Sequence, residues 1–476
     1  MIFRTQDYKT EESAASAAAV HRSFALIRRP AVHCAALIAL CFLLTSTGWL
    51  AWEYHLLELA SSGLSDWMTM VAGYVLQAAG IGAFAMLLRR RGLLAEKLIF
   101  AMLILYALCL IPSVLSRKLA GTLAAGLLSN LLCGYIAGFY LHRLSVCVPA
   151  NRRATALGVG YSLSILASWL LSRLGGGTLY YSNRVWFVCL GLTVLILLLL
   201  QCRLSEEDRP APAAGAAEEP SARKTMLITV AGVILLFSVV NNCGFAFSSA
   251  DLLQGIRVES SRLFYAAGMI LAGIVSDSDR KHGAVAALAA LILPFIMLAL
   301  RHEPVSLTVF WELNYFAFGF YSVFRIIVFS DLAEKHSLLP LAAFGLLVGR
   351  LGDAAGEGIC LSLTGSALAL IFFTALLAVS AIFLFFRVYR PLYAPEAAKQ
   401  QSEEERFYQF AVAHDLSARE REMLRLVLQE KTNGEIADAL SISENTVKFH
   451  IHNLLQKTGC RNKNDLIAAY IGRKQA

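Results

Sequence analysis

The sequence predicts an all-α fold in two parts: a polytopic membrane helical bundle built as two six-helix halves, and a small cytoplasmic four-helix domain at the carboxyl end. Three observations lead there. Of the 476 residues, 57% are hydrophobic and 16% charged, against roughly 45–50% and about 25% in soluble proteins. The apolar residues lie in long blocks parted by short basic connectors, as membrane-crossing helices require. Residues 414–476 break this pattern and read as charged and amphipathic. Intrinsic disorder, a coiled-coil rod and a collagen-like fibre are excluded, since each needs low apolar content or a short repeat.

Residues 1–30 hold five basic residues among polar and small ones. The apolar block after them is too long for a signal-peptide core, so 1–30 is read as a cytoplasmic tail and 31–386 as the membrane domain. Blocks long enough to cross about 30 Å of hydrocarbon fall at 31–52, 67–88, 97–115, 119–141, 154–172, 184–202, 225–247, 259–276, 284–301, 305–329, 338–361 and 366–386. These twelve spans divide six and six at a polar loop, 203–224, rich in Pro, Ala, Glu and Arg. With the amino terminus inside, the inner connectors carry 22 Lys and Arg and the outer ones 7. That bias predicts twelve spans with both ends cytoplasmic. The ten cysteines form no CxxC pair and sit in or beside apolar blocks, so neither a disulfide framework nor a metal site is expected. No cofactor-binding or nucleophile motif is found, and no enzyme is expected.

Prolines and charges make 387–413 a linker, and 414–476 the terminal domain. Ser417 with Glu420, and Thr432 with Glu435, have capping-box spacing, so helices should start just after Ser417 and Thr432. Ser443 is a third N-cap. Met423, Leu424, Val427 and Leu428 form the core stripe of the first helix; Ile436, Ala437 and Leu440 that of the second; Val447, Ile451, Leu454 and Leu455 that of the third. The opposite face of the third carries Asn445, Lys448, Phe449, His452 and Gln456, one exposed stripe bearing amides and a cation. A helix, a short turn and a second helix with such a stripe can enter the major groove of double-stranded DNA. Residues 417–476 have a formal charge of +3, which permits phosphate contact.

The run from Leu416 to Leu466 closely resembles the LuxR-type helix-turn-helix domain. The resemblance rests on Leu416-Ser417-x-Arg419-Glu420, on Thr432-Asn433-x-Glu435-Ile436-Ala437, and on Ser443-x-x-Thr446-Val447-Lys448-x-His450-Ile451. It implies a third helix that reads promoter DNA and a last helix, about Lys463 to Ile471, that supports a homodimer. It puts Asn445, Lys448, Phe449 and His452 toward bases, and Thr432, Asn433, Ser443, Thr446 and Lys457 toward phosphates. Two residues depart from the family pattern: Glu430 stands where Gly is usual, and Lys463 where Arg is usual.

The two six-span halves resemble the major facilitator architecture. Gly273-Ile274-Val275-Ser276-Asp277-Ser278-Asp279-Arg280-Lys281 approximates that family's loop motif, and the run after the second span keeps its basic residues without the aspartate. A central cavity between the halves is the implied ligand site. Charges at membrane depth face a cavity or a partner. Here they are Glu312 and Arg325 in the tenth span and Arg350, Asp353 and Glu357 in the eleventh, the last three on one helix face. They form either a salt-bridge network locking these spans or a site for a polar or charged ligand or a proton. Asn130, Asn241 and Asn242 are weaker candidates, and Gly345, Gly349, Gly352 and Gly356 suit close helix packing. The first half is nearly free of buried charge, which weakens the case for a coupled pump. The function expected is a membrane-tethered one-component transcriptional regulator sensing an unknown small-molecule ligand from the lipid bilayer. An active transporter with an appended autoregulatory reader, and a fusion whose membrane part only anchors, are the alternatives.

Overall fold

The computed structural model describes residues 29–175, 179–182, 184–202, 220–246, 258–299, 304–363, 366–393 and 396–471. Nearly all of the tail and most of the central loop expected at 203–224 lie outside the described residues. The chain divides into two compact units, 1–388 and 389–476, and no strand occurs among the described residues.

The first unit contains α1 (Pro30–Leu59), α2 (Ser62–Arg91), α3 (Leu93–Leu115), α4 (Leu119–Cys147), α5 (Ala150–Leu174), α6 (Val185–Gln201), α7 (Pro220–Ala246) and α8 (Val258–Ser278). It continues with α9 (Arg280–Ala289, extended by Leu293–Ala299), α10 (Pro304–Lys335), α11 (Phe344–Leu363) and α12 (Ala367–Tyr393). Among the described residues ten helices are long and apolar enough to cross a membrane; α6 is a shorter apolar helix, and α8 completes the set of twelve. Several helices run well past the expected spans, because polar residues at membrane borders continue a helix once it is nucleated. On α12, Leu368, Phe372, Leu376, Val379, Phe383 and Phe386 are exposed along the helix, an apolar face suited to lipid tails.

Packing repeats between the halves. α1 packs on α5 as α7 packs on α11, and α2 on α4 as α8 on α10. The halves meet through α5 against α8 and α2 against α11. Small residues permit the approach: a side chain at Gly273 would lie 2.6 Å from the Ala154 carbonyl of α5.

One end of this interface is held by charge. Arg153 at the start of α5 is fully buried and donates to Asp331 at 2.8 Å and Glu334 at 2.7 Å on α10. Arg280 binds the same Asp331 at 2.7 Å and Asp277 at 2.8 Å. Asp277 accepts from the backbone amides of Ala154 and Thr155 at 3.0 and 2.7 Å. The loop motif is therefore a clamp. The expectation that the first half is nearly free of buried charge is corrected, since Arg153 lies inside α5 rather than in a connector.

The second unit contains α13 (Glu396–Ala413), α14 (Ala418–Leu428), α15 (Asn433–Leu440), α16 (Glu444–Thr458) and α17 (Lys463–Ile471). The segment expected as a linker is thus largely helical. Its prolines, Pro391 and Pro395, precede the helix, where they do no harm, and its Phe407, Phe410 and Ala411 pack on the reader's core. That core is Leu416, Met423, Leu424, Val427, Ile436, Ala437, Val447, Ile451, Leu454 and Leu466, with Leu428, Leu440 and Leu455 partly buried at its edge.

Glu430 has φ 57°, the left-handed conformation that glycine adopts freely. Its amide donates to Val427 O at 2.9 Å and that of Lys431 to Leu426 O at 3.2 Å, the paired bonds of a Schellman helix end. The left-handed form costs about 1–2 kcal/mol for a residue with a Cβ, partly offset by the greater entropy glycine loses on folding. Glu430→Gly is expected to raise the stability of the 389–476 unit by about 0.5–1 kcal/mol in urea unfolding. Unchanged or lower stability contradicts this account of the turn.

Candidate functional site

The nucleic-acid face is built by three helix starts. Ser417 accepts from the Glu420 amide while Glu420 accepts from the Ser417 amide at 2.8 Å. Thr432 and Glu435 form the same reciprocal box, and Ser443 accepts from the Thr446 amide at 3.2 Å. Ser441, with φ 52°, turns the chain from α15 into α16. Burial of Val447, Ile451 and Leu454 fixes the rotation of α16. Asn445, Lys448, Phe449, His452 and Gln456 consequently stand exposed on its other side. Phe449 is 62% exposed, an unusual position for a large apolar ring that has no partner in a folded core.

The residues expected at phosphates divide. Thr432, Ser443 and Thr446 are at the helix starts; Ser443 and Thr446 share a hydroxyl bond at 2.8 Å, and the Thr432 hydroxyl donates to Glu435 at 2.8 Å. Asn433 opens α15, and its side-chain Oδ1 is buried without a partner. Lys457 is committed inside the domain, donating to Glu420 at 2.8 Å and to the Asp415 carbonyl at 2.9 Å. Lys463 donates to the Lys431 carbonyl at 3.1 Å, and burial lowers its pKa.

In the membrane unit the expected charges split into three places. Arg325 and Arg350 converge on Asp353 at 3.1 and 3.3 Å. Glu357 accepts from Asn242 at 3.1 Å. Glu312 is half-buried and joins no ion pair among the described residues. Asn130 accepts from Gln77 at 2.7 Å and donates to Gly126 O, and Asn241 donates to Phe237 O. Gly349 lets Arg325 lie along α11: a side chain there would meet its guanidinium at 2.9 Å.

A cavity of ≈ 260 Å³ lies between the halves. Among its lining residues are Trp49, Tyr74, Gln77, Ser164, Arg262 and Arg350. Gln77 and Tyr74 follow a π-helical stretch of α2, Trp67–Ala72, a local widening that recurs at functional positions. Sequence reasoning missed Arg262, because it sits near the start of a span. It also missed Trp49, which looks like any lipid-border aromatic.

Residues 414–469 match the family described as bacterial regulatory proteins, luxR family. The spore germination protein GerE of Bacillus subtilis (strain 168) is 46% identical over 52 residues, 11% of this chain and 70% of GerE. The regulatory protein SdiA of Escherichia coli (strain K12) is 48% identical over 56 residues, 12% of this chain and 23% of SdiA. The HTH-type quorum-sensing regulator RhlR of Pseudomonas aeruginosa is 53% identical over 55 residues, 12% of this chain and 22% of RhlR. The chain spans less than a quarter of these two longer relatives. Among solved structures, that of the human organic anion transporter MFSD10 (TETRAN) is similar with a TM-score of 0.55 at 16% identity, covering 76% of this chain and 99% of that one. The helical fold is thus shared with that structure, and a luxR-type helix-turn-helix domain lies at the carboxyl end. Through that domain the chain belongs to the luxR family of bacterial regulatory proteins.

Burial opposes ionisation of Glu420, but its bonds from Lys457 and Ser417 prevail and hold the carboxyl below its ordinary value. The Thr432 backbone and hydroxyl bonds do the same for Glu435. Depressed carboxyl pKa values add stability that is present above the unfolded-state pKa of about 4.3 and is lost as pH falls through the folded-state value. The 389–476 unit is expected to lose urea resistance from about pH 5 downward, and Glu420→Gln to lose part of that slope. An unchanged slope in the variant rules out this source of acid sensitivity.

Proposed function

We propose that this protein is a membrane-tethered one-component transcriptional regulator. Its membrane unit senses a small ligand in the cavity between the halves, and its luxR-family domain binds promoter DNA as a homodimer. The observation that carries the reading is the pairing, on one chain, of a cavity-bearing transporter fold with a reader whose amide, cation and ring stripe is exposed along α16. Asn445, Lys448, Phe449 and His452 face bases; Thr432, Asn433, Ser443 and Thr446 position the helix starts at phosphates, where backbone amides favour anions. Lys457 was a phosphate candidate on sequence grounds, but its bonds to Glu420 and Asp415 favour a structural part. The loop bias of 22 to 7 supports both ends being cytoplasmic, and the match to bacterial regulatory proteins supports a bacterial inner membrane. That placement is required if the reader is to reach DNA.

A second reading is favoured by the membrane fold itself: an active transporter with an appended autoregulatory reader. Flux decides between the two. In liposomes the regulator moves no solute while its ligand changes DNA affinity; ligand-dependent uptake would establish the transporter instead.

For the reader, Lys448→Ala is expected to weaken specific DNA binding by about 1–3 kcal/mol. A change at the exposed Gln429, outside the stripe, is expected to leave binding unaltered. Both are measured by fluorescence anisotropy on a duplex selected by the protein from random sequence. Equal loss from the two, with the fold intact, refutes the assignment of α16.

A further inference from the structure

Resting on the sensing reading, the structure assigns the class of ligand: we infer that the cavity takes a small organic anion, a carboxylate carried on a flat aromatic body. The argument starts from an imbalance. Among the described residues the wall contains two guanidinium groups, Arg262 from α8 and Arg350 from α11, and no carboxylate. The nearest acidic groups are engaged or stand outside it. Asp353 is divided between Arg350 and the buried Arg325, so these three side chains keep one net positive charge. Glu53, at the far end of α1, lies within electrostatic reach of Arg262 but does not line the cavity.

The neutral groups add to the same imbalance. The indole Nε1 of Trp49 is buried and without a hydrogen-bond partner, and it can only donate. The hydroxyl of Ser164, 1% exposed, is also unpartnered. Several other hydroxyls of the wall are occupied: Thr45 donates to the Cys41 carbonyl, Ser168 pairs with Tyr180, and Tyr265 donates to Ser322. Buried donors left unpaired are costly. A carboxylate supplies the charge and the acceptors that this set lacks, and its geometry matches a guanidinium fork.

The aromatic body follows from the stack beside the arginine. The Arg350 guanidinium lies over the Tyr74 ring at 4.7 Å, and Trp49 lies nearly parallel to Tyr74, with centroids 6.5 Å apart and planes 11° apart. A flat ring extends this layer with its carboxylate toward the guanidinium groups, while Phe42, Ile81 and Leu346 close the apolar side. The cavity of ≈ 260 Å³ is at the small end for ligand sites, which excludes long lipids and peptides.

The test uses the full chain in lipid nanodiscs, with benzoate and indole-3-acetate as anions, benzamide as neutral analogue, benzylamine as cation and inorganic phosphate as an anion without a ring. Binding is read by calorimetry and tryptophan quenching. The aromatic carboxylates are expected to bind at least about tenfold more tightly than the other three probes. Arg262→Gln and Arg350→Gln are each expected to lose about tenfold or more, with Arg350→Lys in between. Because Arg350 also touches Asp353, Arg262→Gln decides where Arg350→Gln lowers the melting temperature. Equal or tighter binding of benzamide or benzylamine, no carboxylate binding, or unchanged affinity in Arg262→Gln overturns the inference. Phosphate binding as tight as benzoate overturns the aromatic body. DNA affinity is measured in parallel. Carboxylate binding that leaves DNA affinity unchanged counts against sensing and upholds the ligand class; a neutral or cationic compound that occupies the cavity and alters DNA affinity does the reverse.

Discussion

The membrane unit depends on one carboxylate held between two arginines. Asp331 accepts from Arg153 at 2.8 Å and from Arg280 at 2.7 Å, and thereby ties the first turn of α5 to α9 and α10. Arg153 is wholly buried, and a buried guanidinium is tolerable only when fully paired. Here Asp331, Glu334 and the carbonyls of Ser145 and Val148 satisfy it. Everything between the halves inherits this constraint. The cavity can open at this end only if these bonds part together, since losing one partner leaves a charge in low dielectric. A ligand that moves one half against the other must supply that difference as differential affinity for the two arrangements.

How much of this is legible in the sequence depends on the range of the interaction. Local rules succeeded. The capping boxes at Ser417 and Thr432 involve residues three apart, and the spacing alone specifies both bonds. The rotation of α16 follows from Val447, Ile451 and Leu454, a period the chain displays openly. Most of the apolar blocks are legible because the bilayer sets a length that any span must meet, and ten described helices are long and apolar enough to cross it. Nor is the left-handed turn at Glu430 hidden, since comparison with the expected glycine marks it.

Interactions between distant segments are less visible. Arg153 looks like a loop residue until α10 supplies Asp331 and Glu334, 178 and 181 positions away. The five membrane charges of two neighbouring spans read as one cluster, yet side-chain direction sends Glu357 to Asn242 and gathers only Arg325 and Arg350 on Asp353. Lys457 has the composition of a phosphate contact, and only the folded domain reveals that a buried Glu420 claims it. The helix of 396–413 failed to register for another reason: two prolines and a polar run mask an amphipathic segment whose apolar side, Phe407, Phe410 and Ala411, has meaning only beside the reader's core.

That last segment bears on how, in the proposed regulator, a membrane event would reach DNA. α12 ends at Tyr393 and α13 begins at Glu396, so the chain that leaves the membrane unit soon enters the reader's own core. Arg406 donates to the Tyr470 carbonyl at 2.7 Å and stacks on its ring at 5.2 Å, while Phe410 meets the same ring edge-on at 5.3 Å. Tyr470 belongs to α17, the helix that the luxR resemblance assigns to pairing of two readers. A flexible linker would transmit only proximity, as an effective concentration. A helix that packs on α17 can also transmit strain, because whatever unwinds or turns α13 alters the surface on which dimerisation depends. For the proposed regulator, the coupling such a helix has to carry is on the scale of the roughly 1–3 kcal/mol typical of allostery.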